Sequence, residues 1–225
     1  MIFSVNLHFL SMLIIVSNHC YLLMIYKYKC DMTVPIKLSI FASGNGTNAQ
    51  QISEYFAGRA DVAVDNIVYN RRDAYVATRA KNLGITSQYF NRKDFMESDK
   101  VLNFLRNRGV DYVILAGFLL LVPENLLQAF PDRIVNIHPA LLPKYGGKGM
   151  YGHHVHDAVV ANHERETGIT IHVVDGRYDC GTTLFQARCE VLPSDTPDDV
   201  AAKIHLLEKE HFPKVIDAFI HQKNC

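Results

Sequence analysis

The sequence predicts an α/β fold: an open, mostly parallel twisted sheet with helices on both faces and antiparallel strands added in the C-terminal part. Three observations lead there. Short β-leaning apolar runs alternate with helically spaced segments between residues 37 and 137. The run at residues 112–116 (YVILA) is apolar without interruption, as in a strand covered on both faces. From Thr167 onward the pattern changes to strand-like alternation joined by glycine-rich connections. Strands and helices in this order pair in parallel through right-handed crossovers, a Rossmann-like arrangement in which ligands gather at the C-terminal ends of the strands.

The elements follow in chain order. Residues 37–42 (KLSIFA) form a strand, SGNGTN a turn, and residues 49–56 a helix. Residues 65–69 (DNIVY) are the next strand and residues 74–83 the next helix, followed by a short extended piece at 87–90. One helix is expected over 94–108, closed by Gly109. After the strand at 112–116, residues 123–130 read as a helix, and 133–137 (RIVNI) as a strand with one polar member, Asn136. Residues 144–154 (KYGGKGMYGHH) read as a mobile loop. Two strands, TGITIHVV and LFQARCEV, precede a long amphipathic helix over 197–220 with a bend expected at Pro213.

The length of 225 residues accommodates one domain, expected over residues 35–220. Lys+Arg and Asp+Glu balance at 23 each, so the basic excess of a nucleic-acid binder is missing. The five cysteines (Cys20, Cys30, Cys180, Cys189, Cys225) are odd in number and form no CxxC pair, which suits a reducing, cytoplasmic compartment. Residues 1–32 form an apolar leader. Its core, 9–26, carries Asn18 and His19 at the middle, and Met32 stands just before the first strand. Translation is expected to start at Met32, and membrane contact arises only if residues 9–26 are a genuine anchor.

Gly44, Gly46 and Ala49 satisfy GxGxxA between a strand and a helix, where backbone N–H groups and a helix N-terminus suit a phosphate. A dinucleotide site would want an acid after the second strand; Tyr69, Asn70, Arg71 and Arg72 stand there instead, which favours a phosphate monoester. An NADP-like site using the arginines, or a plain tight turn, are the alternatives. Asn136 and His138, two apart on a strand, project to one face, and Pro139 favours extended geometry at His138. An amide donor beside an imidazole suits an oxyanion at a carbonyl under attack. A carboxylate to partner His138 is offered by Asp175 or Asp179 in DGRYDCG, and spacing leaves the two even. His153, His154 and His156 lack a Cys or carboxylate at ligand spacing; they read as solvated loop residues, and no metal is expected.

The ordered set SGNGTN, AGF, NIHPALLPKY, DCG and LLEKEHFP closely resembles the folate-dependent phosphoribosylglycinamide formyltransferase family, of the formyltransferase superfamily, over residues 35–220. The resemblance implies transfer of the formyl group of 10-formyltetrahydrofolate to the amine of glycinamide ribonucleotide in purine synthesis. It implies that Asn136, His138 and Asp179 are catalytic, which chooses Asp179 over Asp175, and that Gly46, Thr47, Asn48 and Glu208 bind the nucleotide. The folate would lie against Leu119, Leu120, Leu121 and Val122, near Asn136 and the loop carrying Asp175 and Asp179. The implied partners are these two substrates, with no metal and no nucleic acid, in a monomer or homodimer. Three departures stand out: Leu120 where some relatives carry arginine, His205 where some carry glutamine, and a longer loop after Tyr145. Methionyl-tRNA formyltransferase, nucleotide-sugar formyltransferase and formyltetrahydrofolate hydrolase are the neighbouring chemistries. The first and third are expected to need an additional domain. A catalytically idle NADP-binding module is the alternative from another class.

Overall fold

The computed structural model describes residues 34–222; the expected leader at 1–32 lies outside the described residues. From Ile36 onward the chain forms one compact unit. Strands β1 (Ile36–Ala42), β2 (Val62–Tyr69), β3 (Thr86–Tyr89), β4 (Tyr112–Leu115), β5 (Ile134–His138), β6 (Glu166–Val173) and β7 (Thr183–Glu190) make one sheet in the order β3-β2-β1-β4-β5-β6-β7. Pairing is parallel from β3 to β5 and antiparallel for β5 with β6 and β6 with β7. This is the fold class the sequence predicts. The chain runs outward from β1 through β2 to β3, then returns to place β4 on the other side of β1. A crevice therefore opens at the C-terminal ends of β1 and β4.

The helices are α1 (Thr47–Phe56), α2 (Val76–Asn82), α3 (Arg92–Met96), α4 (Lys100–Arg108), α5 (Glu124–Ala129), α6 (His153–Ala161) and α7 (Pro197–Gln222). They cover the sheet in two layers because each strand distributes alternate side chains to opposite faces. On β4, Tyr112 and Ile114 join a core with Ile52 of α1, Val159 of α6 and Phe212 of α7. Val113 and Leu115 join a second core with Phe95 of α3 and Leu105 of α4. The same alternation sorts β5 and β6. Val135 and Ile137 enter the first core with Ile169, Ile171 and Val173, leaving Asn136, His138, Thr170 and His172 on the opposite face.

Three elements differ from expectation. The single helix expected over 94–108 is two, because Asn91 caps α3 through a reciprocal capping box with Asp94, and the chain breaks before a second start at Lys100. A helix, α6, begins at His153 inside the segment expected to be loop, since Val155 and Val159 are four apart and both fully buried. Pro213 lies inside α7 without ending it; buried Phe212, Ile216, Phe219 and Ile220 around it offset a lost helical hydrogen bond that costs about 3 kcal/mol. Among the described residues no helix is long and apolar enough to cross a membrane.

The face bearing His138 is closed by the chain that follows β5. Thr170 Oγ1 donates to the Ala140 carbonyl at 2.7 Å and accepts from the Leu142 N–H at 2.9 Å, and Gln186 donates to the Leu142 carbonyl at 3.0 Å. Gly168 permits this close stacking. A Cβ there would lie 1.9 Å from the Ala187 carbonyl oxygen and 2.7 Å from Leu141 Cδ2. Gly168→Ala is therefore expected to cost about 2–3 kcal/mol, read as a lower urea midpoint. An unchanged midpoint would show that β6 and β7 can separate without penalty.

Candidate active site

A cavity of about 570 Å³ occupies the crevice. The turn after β1, the segment after β4, the end of β5, the glycine-rich loop ahead of α6 and one face of α7 all contribute to its wall.

One end is formed by the turn after β1 and the N-terminus of α1. The Ser43 N–H donates to the Gly117 carbonyl at 3.0 Å and Ser43 Oγ accepts from the Leu119 N–H at 2.9 Å, so the ends of β1 and β4 are tied together. Gly46 then caps α1 at φ +77°. Only glycine suits this position, both for its left-handed backbone and because a Cβ would fall 2.3 Å from Val76 Cγ2. This cap starts the helix at Thr47 rather than at Ala49 as expected. The unsatisfied first-turn N–H groups of a ten-residue helix thus meet the cavity beside Gly46, Thr47 and Asn48. Opposite stands Glu208 of α7, buried, accepting from Asn48 Nδ2 at 3.0 Å. His205 Nδ1 lies 3.1 Å from the same carboxylate oxygen, and that hydrogen bond raises the His205 pKa above its ordinary value.

The other end gathers the groups able to do proton chemistry. His138 Nδ1 lies 3.4 Å from Asp179 Oδ1, and His138 Nε2 lies 2.7 Å from the Tyr145 carbonyl oxygen. A carbonyl only accepts, so Nε2 carries a hydrogen. Asp179 sits at φ +54°, a left-handed conformation that aspartate tolerates better than most residues, and its other oxygen accepts from the Gly147 N–H at 2.9 Å. The neighbouring Gly181 is obligatory, because a Cβ there would lie 1.6 Å from the Val173 carbonyl oxygen. Asn136 Nδ2 is 3.0 Å from His172 Nε2, and His172 Nδ1 is 3.3 Å from the Val173 carbonyl. Since that carbonyl also only accepts, Nδ1 carries the His172 hydrogen and Nε2 accepts from the amide. This fixes the Asn136 amide and leaves its second N–H free of His172.

Burial pushes the pKa of His138 below the usual imidazole value, against the opposing pull of the Asp179 charge and the Tyr145 carbonyl. Burial likewise lowers His172, which the Val173 carbonyl and Asp179 oppose. The pull of the Asp179 carboxylate toward a charged ring thus meets a counterforce. At His138 desolvation outweighs the carboxylate.

The expected residues are distributed as follows. Gly46, Thr47, Asn48, Leu119, Asn136, His138, Asp179 and Glu208 all line the cavity. Leu120, Leu121 and Val122 do not: Leu120 packs against the second core, Val122 is buried in it, and Leu121 is half-buried. Asp175 lies away from the cavity wall, paired with Arg177 at 2.8 Å, so Asp179 is the acid that reaches His138. Arg71 pairs with Asp73 and Arg72 stacks over Tyr89 at 4.7 Å; neither lines the cavity. The reading of His153, His154 and His156 as solvated loop residues needs correction. All three lie on α6, and His156 is buried and lines the cavity because its turn of helix faces the core with Val155 and Val159. Among the described residues no group of three or more metal-ligating side chains is placed to hold a metal ion. Sequence reasoning also missed His172; its signal was a polar residue standing on the strand face that alternates against Ile169, Ile171 and Val173.

The formyl transferase family matches residues 36–216. A chloroplastic phosphoribosylglycinamide formyltransferase of Arabidopsis thaliana is 39% identical over 196 residues, 83% of this chain; the chain spans 66% of that plant protein's length. The phosphoribosylglycinamide formyltransferase of Haemophilus influenzae is 32% identical over 81% of this chain and 86% of its own length. The crystal structure of the phosphoribosylglycinamide formyltransferase of Streptococcus pneumoniae superposes with a TM-score of 0.72 at 39% identity, covering 82% of this chain and 99% of that one.

The balance of forces on His138 is measurable. In ligand-free protein its NMR titration midpoint is expected below 6.5 and, in Asp179→Asn, lower still, since the carboxylate is the group that favours the charged ring. A rise on removing the carboxylate would reverse the assigned role.

Proposed function

The chain belongs to the formyl transferase family, and on that premise we propose that it transfers the formyl group of 10-formyltetrahydrofolate to the primary amine of glycinamide ribonucleotide, giving formylglycinamide ribonucleotide and tetrahydrofolate for purine synthesis. One observation carries the reading. The amide, imidazole and carboxylate of Asn136, His138 and Asp179 face the same cavity as an open helix N-terminus, so a phosphate and a reacting carbonyl fit in one site. Gly46, Thr47 and Asn48 hold the substrate phosphate, Glu208 binds the nucleotide, and Leu119 offers apolar surface to the folate.

The amine nitrogen attacks the formyl carbon, a C–N bond forms, and the carbonyl electrons move onto oxygen. With one N–H of Asn136 held by His172, its second N–H and the His138 ring stabilise that oxygen. Burial disfavours charge on His138, so the ring takes up a proton from water at Nδ1 as negative charge develops beside it, where the low dielectric strengthens their attraction, and returns it when the oxygen's charge collapses. Asp179 supports the positive ring and relays the amine proton toward the departing folate nitrogen. Cleavage of the formyl C–N bond to the folate then completes the transfer. The reaction is assigned to a single domain over residues 35–220. A cytoplasmic location is proposed with it, supported by the free thiols of Cys180 and Cys189.

Asn136→Ala and His138→Ala are each expected to lower turnover about 100- to 1000-fold while the far-UV circular dichroism stays unchanged. The assay follows tetrahydrofolate release and its dependence on glycinamide ribonucleotide. Full turnover in either variant would refute these roles, and folate release that ignores the nucleotide would refute the acceptor.

A further inference from the structure

We propose that Glu164, which does not line the active-site cavity, is a positioning residue: by holding the Tyr145 hydroxyl it keeps the Tyr145 carbonyl on His138 Nε2 and so keeps the neutral ring's proton on Nε2 and off Nδ1, the nitrogen that faces Asp179. The inference rests on formyl transfer at His138 and assigns that step a control point on the far side of the loop.

A carbonyl oxygen accepts hydrogen bonds and donates none. With Nε2–H committed to the Tyr145 oxygen at 2.7 Å, Nδ1 is the nitrogen left to exchange a proton beside Asp179. If that carbonyl moved away, the neutral ring could carry its hydrogen on either nitrogen, and the Nδ1–H form would present Asp179 with a proton already in place. The position of one backbone oxygen thus decides where the proton starts.

That oxygen is held in place from outside the cavity. Tyr145 sits at φ +55°, a left-handed conformation that a residue with a bulky side chain seldom adopts without external restraint. Glu164 supplies a polar restraint, beside the packing of the Tyr145 ring against the first core and a hydrogen bond of its hydroxyl with Asn162. Its Oε1 accepts from the Tyr145 hydroxyl at 2.8 Å and from Lys144 Nζ at 3.0 Å, so two successive residues of the loop are anchored to one carboxylate. Glu164 is itself fixed just beyond α6, where its N–H donates to the Val159 carbonyl at 3.2 Å. Two residues past Tyr145, the Gly147 N–H holds Asp179 Oδ2, so the same short stretch of backbone sets both members of the pair. The other charged groups on the small cavity that Glu164 shares are Glu166 and Arg188, which pair with each other. Around His138 the titratable neighbours are Asp179 and His172, with Lys148, His156, His205 and Glu208 farther along the same wall.

Three variants separate this role from ordinary structural support. Glu164→Ala removes the acceptor, Tyr145→Phe removes the donor while keeping the ring, and Glu164→Gln retains an acceptor oxygen and serves as the rescue. The tautomer of His138 is read by ¹⁵N NMR in ligand-free protein, and kcat and KM are read in the formyl-transfer assay. Wild type and Glu164→Gln are expected to show the Nε2–H form alone. Glu164→Ala and Tyr145→Phe are expected to show a mixture, with kcat lower by about tenfold or more and KM for glycinamide ribonucleotide within about twofold. An unchanged tautomer in both disruptive variants overturns the proposal whatever kcat does. So does a mixed tautomer with wild-type kcat. A single clean tautomer in wild-type protein that transfers no formyl group would count against the functional reading, because the NMR readout needs no turnover.

Discussion

The antiparallel pairing of β5 with β6 is the constraint on which the site rests. It sets Asn136 opposite His172 and His138 opposite Thr170. Side chains on a strand alternate, so a slip of one residue would send Asn136 and His138 into the first core and bring Val135 and Ile137 out of it. What prevents the slip is apolar: Val135, Ile137, Ile169 and Ile171 are nearly or fully buried in that core. At about 1.5–3 kcal/mol for each large buried side chain, the hydrophobic term far outweighs the hydrogen bonds on the polar face. The placement of Asn136 and His138 is thus specified by residues on the opposite face of the sheet.

On that frame the site sets burial against charge. Desolvation lowers the proton affinity of both His138 and His172, and one carboxylate pulls the other way. Asp179 can do this only because the chain around it is sharply bent. Its backbone is left-handed, the Gly147 N–H holds one carboxylate oxygen, and the Val173 carbonyl packs against Gly181 two residues on. The DCG motif is in this sense a steric requirement followed by an electrostatic result. At the opposite end of the cavity, Glu208 joins Asn48 and His205 through one carboxylate oxygen, which ties the N-terminus of α1 to α7.

Much of this was legible in the sequence where local pattern and tertiary role agree. The strand runs, the glycine turn and the same-face placement of Asn136 and His138 all follow from periodicity, and the cavity gathers them as that periodicity requires. The choice between Asp175 and Asp179 was not legible from spacing, because both lie in one turn and only the bend at Gly181 decides which reaches His138. His172 was hidden because its partner, Asn136, is 36 residues away and meets it only through strand pairing. The α6 helix was masked by the glycines before it and by histidines that read as solvated, although the buried pair Val155 and Val159 carried the helical period. Of the expected apolar stretch, Leu120 and Val122 are taken up by the second core, and Leu121 is half-buried outside the cavity wall. The break between α3 and α4 was readable in Asn91 and Asp94, whose capping-box spacing marks a helix start at Arg92.

The most direct measurement of the central claim is a crystal structure of the protein with glycinamide ribonucleotide and a folate analogue whose formyl group cannot be transferred. The account predicts the nucleotide phosphate on the N–H groups at Thr47 and Asn48. It also predicts the amine roughly 3–3.5 Å from the formyl carbon and the formyl oxygen turned toward Asn136 and His138. A formyl oxygen facing away from both side chains, or a phosphate bound elsewhere in the cavity, would contradict it.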